Sequence, residues 1–253
     1  MNRYGLIGHP LTHSFSQRYF TEKFARENIA DCRYDLFDLP DIAGLSDLLQ
    51  TPNLRGLNVT IPHKQAVFPY LDWLDDSARR VGAVNVIRIE EDGSRTGFNS
   101  DYYGFKQSLT EWFADIGFAV SGLEALVLGT GGASKAVTVA LEDLGIPFRP
   151  VSRTKSYLTV SYDDLPELIT DYRLIINTSP VGTYPGVTEA PALPYSLLTN
   201  RHALYDLVYN PAETTFMRLG HERGAAVQNG HRMLVLQAER AWEIWNEPHI
   251  TAH

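Results

Sequence analysis

The 253-residue sequence contains only one cysteine, Cys32. A single thiol cannot close an internal disulfide, and it offers no cysteine-rich metal site. We therefore predict a fold that depends on neither a disulfide nor a bound metal. The sequence also lacks a G-x-S-x-G segment, which argues against a hydrolase that presents a serine nucleophile on that turn.

Positive charge is also scarce, because 22 Lys and Arg residues stand against 30 Asp and Glu, a net charge of −8. Such a chain lacks the basic surface that binds nucleic acid or an anionic membrane. No apolar run approaches the roughly 20 residues of a membrane span. The first residues contain neither a basic leader nor a signal-type apolar core. We expect a cytoplasmic protein that binds neither nucleic acid nor membrane.

The apolar residues that are present alternate between strand and helix periodicity along most of the chain. In a first block this pattern predicts strands at 3–8, 32–39, 57–61, 83–89 and 95–98. In a second block it predicts strands at 123–129, 147–152, 172–178 and 203–209. Helices are predicted at 17–27, 41–50 and 102–114, with a turn and helix over 130–144, and a hairpin turn at Asp92-Gly93 joins two strands of the first block. A last helix over 233–246 is expected to return to the first block. This alternation is typical of an α/β fold with mainly parallel sheets and helices on both faces.

Lys64 stands out because it closely follows a predicted buried strand. Pro62 suits the first position of a new helix, which would place Lys64 in the first turn, where the helix dipole opposes a cation. Lys64 is therefore a candidate proton carrier, although a solvated lysine in an exposed turn is the open alternative. Asp101, predicted as the N-cap of a helix over 102–114, is its natural charge partner.

The segment Gly129-Thr-Gly-Gly-Ala-Ser134 lies between an apolar strand and an alanine-rich helix. Glycines permit a tight turn, and a helix N-terminus presents free N–H groups to a pyrophosphate. The segment therefore predicts a dinucleotide site, with a strand-to-helix turn that binds no ligand as the alternative. Arg153 ends the next strand, where an arginine would meet the 2′-phosphate of NADP; a solvated arginine is the alternative there.

Several polar residues interrupt apolar segments. Asn58 and Thr60 share one side of a predicted strand whose other side carries residues 57, 59 and 61. Asn85 and Gln237 interrupt a strand and a helix, and such groups need hydrogen-bond partners, which a polyhydroxylated ligand would supply. Ser14 and Ser16 follow the first strand, where they suit helix capping, ligand contact or both.

Taken together, these segments resemble the shikimate dehydrogenase family over nearly the whole chain. The matching segments are Gly8-His-Pro-Leu-Thr-His-Ser14-Phe-Ser16, Asn58-Val-Thr-Ile-Pro-His-Lys64, Gly82-Ala-Val-Asn85, Asn99-Ser-Asp101, Gly129-Thr-Gly-Gly-Ala-Ser134, Ser152-Arg-Thr154, Asn177-Thr-Ser-Pro-Val-Gly182, Tyr205-Asp-Leu-Val-Tyr209-Asn-Pro and Gln237-Ala238. The resemblance implies a substrate domain over 1–101 plus 230–253 and a Rossmann-like NADP domain over 102–229.

The resemblance also implies an activity and a set of roles. The activity is reversible, NADPH-dependent reduction of 3-dehydroshikimate to shikimate in aromatic amino acid biosynthesis, with Lys64 and Asp101 as the catalytic pair. The residues implied to bind the substrate's carboxylate and hydroxyls are Ser14, Ser16, Asn58, Thr60, Asn85, Tyr209 and Gln237. Those implied to bind NADP are Gly129, Gly131, Gly132, Ala133, Ser134, Ser152, Arg153, Thr154, Thr178, Gly230 and Met233.

The sequence departs from the family pattern in three places. Where the family usually has N-G-L-G-M, this chain has His231 and Arg232 at the third and fourth positions. Where the family has N-R-T, Ser152 replaces the asparagine. The helix expected after Thr154 is missing, and only Lys155 represents a second basic residue there. An NAD-using quinate/shikimate dehydrogenase and a non-catalytic sensor of shikimate-pathway ligands are the alternatives. We expect a monomer or a homodimer.

Overall fold

The computed structural model describes residues 1–11 and 14–247. It contains two compact units, one formed by Met1–Ser100 with Gln237–His253 and the other by Asp101–Leu236. Each unit has its own six-stranded sheet with helices packed against it. The α/β class predicted from the alternation of strands and helices is therefore confirmed.

The first unit contains a mixed sheet with strand order β2-β1-β3-β5-β6-β4. Its strands are β1 (Asn2–Gly8), β2 (Cys32–Asp38), β3 (Leu54–Val59), β4 (Trp73–Leu74), β5 (Val86–Ile89) and β6 (Arg95–Phe98). The first three strands are parallel, whereas β5 is antiparallel to both β3 and β6. The carboxyl ends of β1 and β3 therefore lie at one edge of the sheet, where polar residues follow both strands.

The helices of the first unit are α1 (Phe15–Arg26), the short α2 (Leu45–Leu48), α3 (Asp76–Val81) and the part of α8 (His231–Asn246) from Gln237 onward. Helices α1 and α8 pack on one side of the sheet around Tyr4, Phe20 and Trp245. The indole of Trp245 donates a 3.0 Å hydrogen bond to the carbonyl of Ile87 and lies against Gly56, where any side chain would meet the ring. This packing fixes α8, and with it Gln237, on the sheet.

The second unit contains a fully parallel sheet with strand order β12-β11-β10-β7-β8-β9. Its strands are β7 (Ala125–Leu128), β8 (Phe148–Ser152), β9 (Val160–Ser161), β10 (Leu174–Asn177), β11 (Ala203–Asp206) and β12 (Ala226–Gln228). If β7 is counted as the first strand, this is the strand order of a doubly wound dinucleotide-binding sheet. In such a sheet the direction of winding reverses between the first and fourth strands. In this unit the reversal lies between β7 and β10.

The helices of the second unit are α4 (Ser100–Ile116), α5 (Gly132–Asp143), α6 (Leu165–Leu168), α7 (Thr215–His221) and the first turns of α8. Alternate residues of the central strands point to opposite faces, so Val127 packs with α4 and α5, whereas Leu126 packs with α6 and α7. No helix occurs in residues 153–159, between β8 and β9, as the sequence indicated. Helix α7 and the three-residue strand β12 are additions to the predicted elements.

Within the described part of the chain, no helix combines the length and apolar character that crossing a bilayer requires.

Candidate functional site

Lys64 is half-buried in a turn that follows β3, not in the first turn of a helix. The backbone N–H of Val67 bonds to the carbonyl of His63 over 3.1 Å, but the carbonyl of Lys64 accepts its bond from Val84 instead, over 2.8 Å. Because a helix would need that carbonyl for residue 68, the chain cannot continue as one. The prediction of a helix starting at Pro62 is therefore wrong, and the helix-dipole argument for Lys64 does not apply.

Two further expectations about this region need correction. Ile61 was expected to face the core with Leu57 and Val59, but it is 74% exposed, since β3 ends at Val59. Asp101 was expected to cap α4, but it lies inside the first turn, because the helix already begins at Ser100. An acidic side chain is favourable there, close to the positive end of the helix dipole. Lys64 belongs to the first unit and Asp101 to the second, and their pairing stays a prediction.

The polar residues of the first unit are linked by hydrogen bonds at the carboxyl end of β3. Asn58 donates from Nδ2 to the carbonyl of Asn85 over 3.3 Å and accepts from Tyr34 over 2.7 Å. The Oδ1 of Asn85 accepts from the backbone N–H of Ser100 over 2.7 Å, and its Nδ2 lies 3.4 Å from Oε1 of Gln237. The structure thus brings Asn58, Asn85 and Gln237 together in one network within the first unit.

The two serines after β1 lie at the start of α1. Ser14 is the N-cap residue, and its Oγ accepts a 3.2 Å hydrogen bond from the N–H of Gln17. Ser16 lies inside the helix, and its side chain opposes the rise in the pKa of Tyr34 that burial causes. The structure therefore confirms the capping interpretation for Ser14, whereas that interpretation is wrong for Ser16, because the helix already begins at Phe15.

Thr60 follows β3 immediately and is half-buried. Its backbone N–H bonds to the carbonyl of Ile7 over 2.9 Å, and its methyl group lies against Gly8, where no side chain fits. Within residues 1–11 and 14–247 no hydrogen bond of the Thr60 hydroxyl occurs. Its backbone and methyl group are thus held by the sheet, and the binding of substrate by its hydroxyl stays a prediction.

The glycine-rich turn of the second unit connects β7 to α5 at the point where the sheet reverses. Gly129 has φ +104°, a region that side chains disfavour, and a Cβ there would lie 3.1 Å from Oγ1 of Thr178, which follows β10. A Cβ at Gly131 or Gly132 would meet no atom within 4 Å. Helix α5 starts without a side-chain cap, so no capping side chain occupies the helix N-terminus, where a phosphate group can bind.

The other residues predicted to bind the cofactor have differing surroundings. Ser134 is buried and its hydroxyl donates to the carbonyl of Gly131 over 2.6 Å. Met233 is 8% exposed and packs in the apolar core of the second unit. Gly230 approaches the carbonyl of Leu207 so closely that no side chain fits. The cofactor roles of these three residues stay predictions, as do those of the exposed Ala133 and Thr154.

Arg153, which is predicted to bind the 2′-phosphate of NADP, is exposed and directly follows β8. Ser152 accepts a 3.3 Å hydrogen bond from the N–H of Thr154 and so shapes this turn. Lys155 lies 2.9 Å from the carboxylate of Asp164, to which it is bound in an ion pair. Arg153 takes part in no ion pair among the described residues. It is therefore the cation at this strand end with most freedom to meet an anionic ligand.

Arg232, the basic residue near the start of α8 that departs from the family pattern, forms an ion pair with a carboxylate. Arg232 bonds to Glu111 of α4 through Nε and Nη2, over 2.7 and 3.1 Å. This ion pair holds the pKa of Glu111 below its usual range. The charge introduced by Arg232 is thus neutralised within the second unit.

Sequence reasoning did not identify a buried acid at the end of β11. Asp206 accepts hydrogen bonds from Thr214 (2.6 Å), Asn177 (2.9 Å) and the N–H of Val208 (3.0 Å). Burial raises its pKa to about 6, and the three donors act in the opposite direction. The bonds tie together the loops after β10 and β11, which is where Thr178 and Tyr209 lie. A carboxylate at the end of an apolar strand was the signal that could have revealed it.

We expect Thr214→Val to destabilise the protein by about 1.5–3 kcal/mol, because it removes a donor from a buried carboxylate. The loss should be greater at pH 8 than at pH 5: with its pKa near 6, Asp206 is ionised at the higher pH and largely protonated at the lower one. Urea unfolding at both pH values measures this. Thr110→Val, at an exposed position of α4, is the control. A loss below 0.5 kcal/mol at pH 8 would contradict the prediction.

Within residues 1–11 and 14–247, no group of three His, Cys, Asp or Glu side chains is placed to hold a metal ion.

A doubly wound parallel sheet with a glycine turn and an uncapped helix at its reversal point defines a dinucleotide-binding α/β protein. The family model described as shikimate dehydrogenase substrate binding domain matches residues 6–87. A shikimate dehydrogenase (NADP(+)) of Clostridium beijerinckii is 36% identical, over 98% of this chain and 93% of the relative. The chain belongs to the shikimate dehydrogenase family, which confirms the resemblance drawn from its motifs.

Solved structures agree with this family membership. Shikimate dehydrogenase 1 of Peptoclostridium difficile has a TM-score of 0.81 and 36% identity, over 100% of this chain and 94% of that chain. Shikimate 5-dehydrogenase of Thermus thermophilus, solved in complex with NADP(H) and shikimate, has a TM-score of 0.81 and 32% identity, over 97% of this chain and 94% of that chain.

Proposed function

We propose that the protein is an NADP-dependent shikimate dehydrogenase, which reversibly reduces 3-dehydroshikimate to shikimate. The observation that carries this proposal is the joint presence of a polar network in the first unit and a dinucleotide turn in the second, in a chain whose curated relatives are NADP-linked shikimate dehydrogenases. We further propose that the first unit is the substrate domain and the second the cofactor domain. A cytoplasmic location, with the chain acting as a monomer or homodimer, is part of the same proposal.

The residues around the glycine turn fit a dinucleotide. The space above Gly131 and Gly132 and the uncapped start of α5 suit a pyrophosphate, and Arg153 suits a 2′-phosphate. When bound, NADPH supplies the hydride that reduces the substrate's keto group. Gly129 keeps the turn close to β10, because a side chain there would press on Thr178.

Lys64 is the proposed proton carrier. Reduction of a ketone to an alcohol needs one proton at the oxygen for each hydride at the carbon, and a lysine ammonium can donate it and take it back in the reverse direction. The backbone of Lys64 is held by its bond to Val84, so the side chain extends from a fixed point. We propose that Asp101, in the first turn of α4, stabilises the charged form of Lys64.

The polar residues of the first unit, together with Tyr209 of the second, are the proposed substrate ligands. Shikimate carries a carboxylate and three hydroxyls, so it can occupy several donors and acceptors at once. The half-buried Thr60 and the amide of Asn58 offer such groups at the end of β3, and the amide of Gln237 offers them from α8. Fixed donors and acceptors bind a polyhydroxylated ring with little loss of side-chain entropy.

We expect Thr60→Val to raise the KM for shikimate by about three- to tenfold, as the loss of one hydrogen bond predicts. The KM for NADP should stay within twofold. Valine keeps the shape of threonine, so the contact with Gly8 is retained. Steady-state kinetics with each substrate varied in turn measure both constants, and Thr51→Val, at a half-buried position before β3, is the control. Equal increases in both constants would show that Thr60 has a structural role instead.

The proposed function is tested by following reduction of NADP and of NAD with shikimate and with quinate as substrates. We expect the highest kcat/KM for NADP with shikimate. Faster turnover of quinate with NAD would favour a quinate/shikimate dehydrogenase, and shikimate binding without turnover would favour a sensor. Family membership and the retained Lys64 and Asp101 support the dehydrogenase over both alternatives.

A further inference from the structure

Tyr34 lies in β2 and its hydroxyl bonds to a proposed substrate ligand. The residue is 6% exposed and packs in the aromatic cluster with Phe20 and Trp245. The hydroxyl donates to Oδ1 of Asn58 over 2.7 Å. Burying a phenol hydroxyl in an apolar cluster costs desolvation free energy, which the bond to Asn58 offsets. The position of the hydroxyl therefore indicates a role toward Asn58.

The bonds of Asn58 leave its amide only one orientation. Its second partner is the backbone carbonyl of Asn85, which can only accept, so the nitrogen Nδ2 must face that carbonyl. The oxygen Oδ1 then faces Tyr34 and accepts from its hydroxyl. One N–H of Asn58 is used by Asn85, and the other bonds to no residue in the described part of the chain. Toward a ligand, Asn58 therefore presents a donor.

Gln237 is oriented in the same way through Asn85. The backbone N–H of Ser100 can only donate, so the atom of Asn85 that it meets at 2.7 Å is Oδ1. The Nδ2 of Asn85 is then directed to Oε1 of Gln237, at 3.4 Å. Within residues 1–11 and 14–247 the amide nitrogen of Gln237 donates no hydrogen bond, so this residue also presents donors.

From this network we infer that Tyr34 is a positioning residue of the substrate site: the carbonyl of Asn85 fixes the orientation of the Asn58 amide, and the hydroxyl of Tyr34 occupies its Oδ1, so that the amide N–H, and not the oxygen, meets the ligand. The inference rests on the proposed function, because shikimate is the ligand with which it is tested. It also defines what the ligand must offer at Asn58 and Gln237, namely carboxylate, keto or hydroxyl oxygens that accept hydrogen bonds.

The first test replaces Tyr34 by phenylalanine, which removes only the hydroxyl. We expect the Kd and KM for shikimate to rise about fivefold, since the Asn58 amide would then be held by the Asn85 carbonyl alone and would have to be immobilised on binding. The Kd for NADP and the kcat should stay within twofold. Tyr4→Phe is the matched control: Tyr4 is paired with Tyr34 across β1 and β2 and is 3% exposed. Among the described residues its hydroxyl bonds to no proposed substrate ligand.

A double-mutant cycle then separates positioning from general stability. If Tyr34 acts through Asn58, Tyr34→Phe should change shikimate affinity less than twofold in an Asn58→Ala background. A fivefold change in both backgrounds would overturn the inference. Asn58→Asp replaces the donor by an acceptor and should weaken shikimate binding more than Asn58→Ala, with folding checked by NADP affinity; equal or tighter binding would also overturn it.

Titration of the wild type with shikimate distinguishes failure of the proposed function from failure of the inference about Tyr34. If the wild type neither binds nor oxidises shikimate, the proposed function fails, and the inference fails with it. If the wild type binds shikimate and Tyr34→Phe binds it equally well, only the inference is overturned.

Discussion

Replacing Lys64 by alanine is expected to lower kcat for shikimate oxidation by about 10²-fold or more, with a much smaller change in the Kd for shikimate. The substitution removes the proposed proton carrier but leaves the bond between the backbone of Lys64 and Val84. The turn should therefore keep its conformation. The fold of the variant can be confirmed by its thermal unfolding and its NADP affinity.

The neighbouring residue provides the control for this experiment. Gln65 is exposed and its amide donates to the carbonyl of Gly82 over 3.2 Å. Gln65→Ala should turn over shikimate within twofold of the wild type. Lys64→Arg keeps the positive charge but gives up its proton far less readily, so it should bind shikimate and remain slow. A Lys64→Ala variant with turnover within a few-fold of the wild type would refute the assignment.

Most candidate residues of the site could be selected from the sequence because they are concentrated in short segments. The glycine turn, the Asn58 and Thr60 pair and the arginine after β8 were found from the residue types and from the strands before them. Their identification needed only the rule that ligands bind at the carboxyl ends of parallel strands. The fold class followed from the same alternation of strands and helices.

The parts that sequence reasoning missed depend on partners far apart in the chain. Lys64 is in a turn, not a helix, because its carbonyl bonds to Val84, twenty residues later. The bond from Tyr34 to Asn58 exists because both β2 and β3 pair with β1. Periodicity reports how a residue faces its own strand or helix, but it does not identify which strand lies next to it. A single sequence therefore left these contacts undetermined.

The cofactor side of the protein is where this chain departs most from its family, and Arg153 is central to it. Residues 153–159 contain no helix, and Lys155 is engaged by Asp164 at 2.9 Å. Arg153 is thus left as the exposed cation directly after β8. A guanidinium binds phosphate through two parallel hydrogen bonds, so selectivity for NADP over NAD should depend mainly on this one residue.

We expect Arg153→Ala to weaken NADP binding about ten- to a hundred-fold, the equivalent of a charge-assisted hydrogen bond worth ~1.5–3 kcal/mol, while NAD affinity changes less than twofold. Arg149→Ala removes the same charge about 13 Å away along β8, so it controls for long-range electrostatics and should leave both affinities nearly unchanged. Lys155→Ala should have a smaller effect than Arg153→Ala, because its charge is already paired. Titration of all four proteins with both cofactors decides the matter. If Arg153→Ala weakens NADP and NAD equally, Arg153 contacts a part that both cofactors share; if it weakens neither, the 2′-phosphate is bound elsewhere.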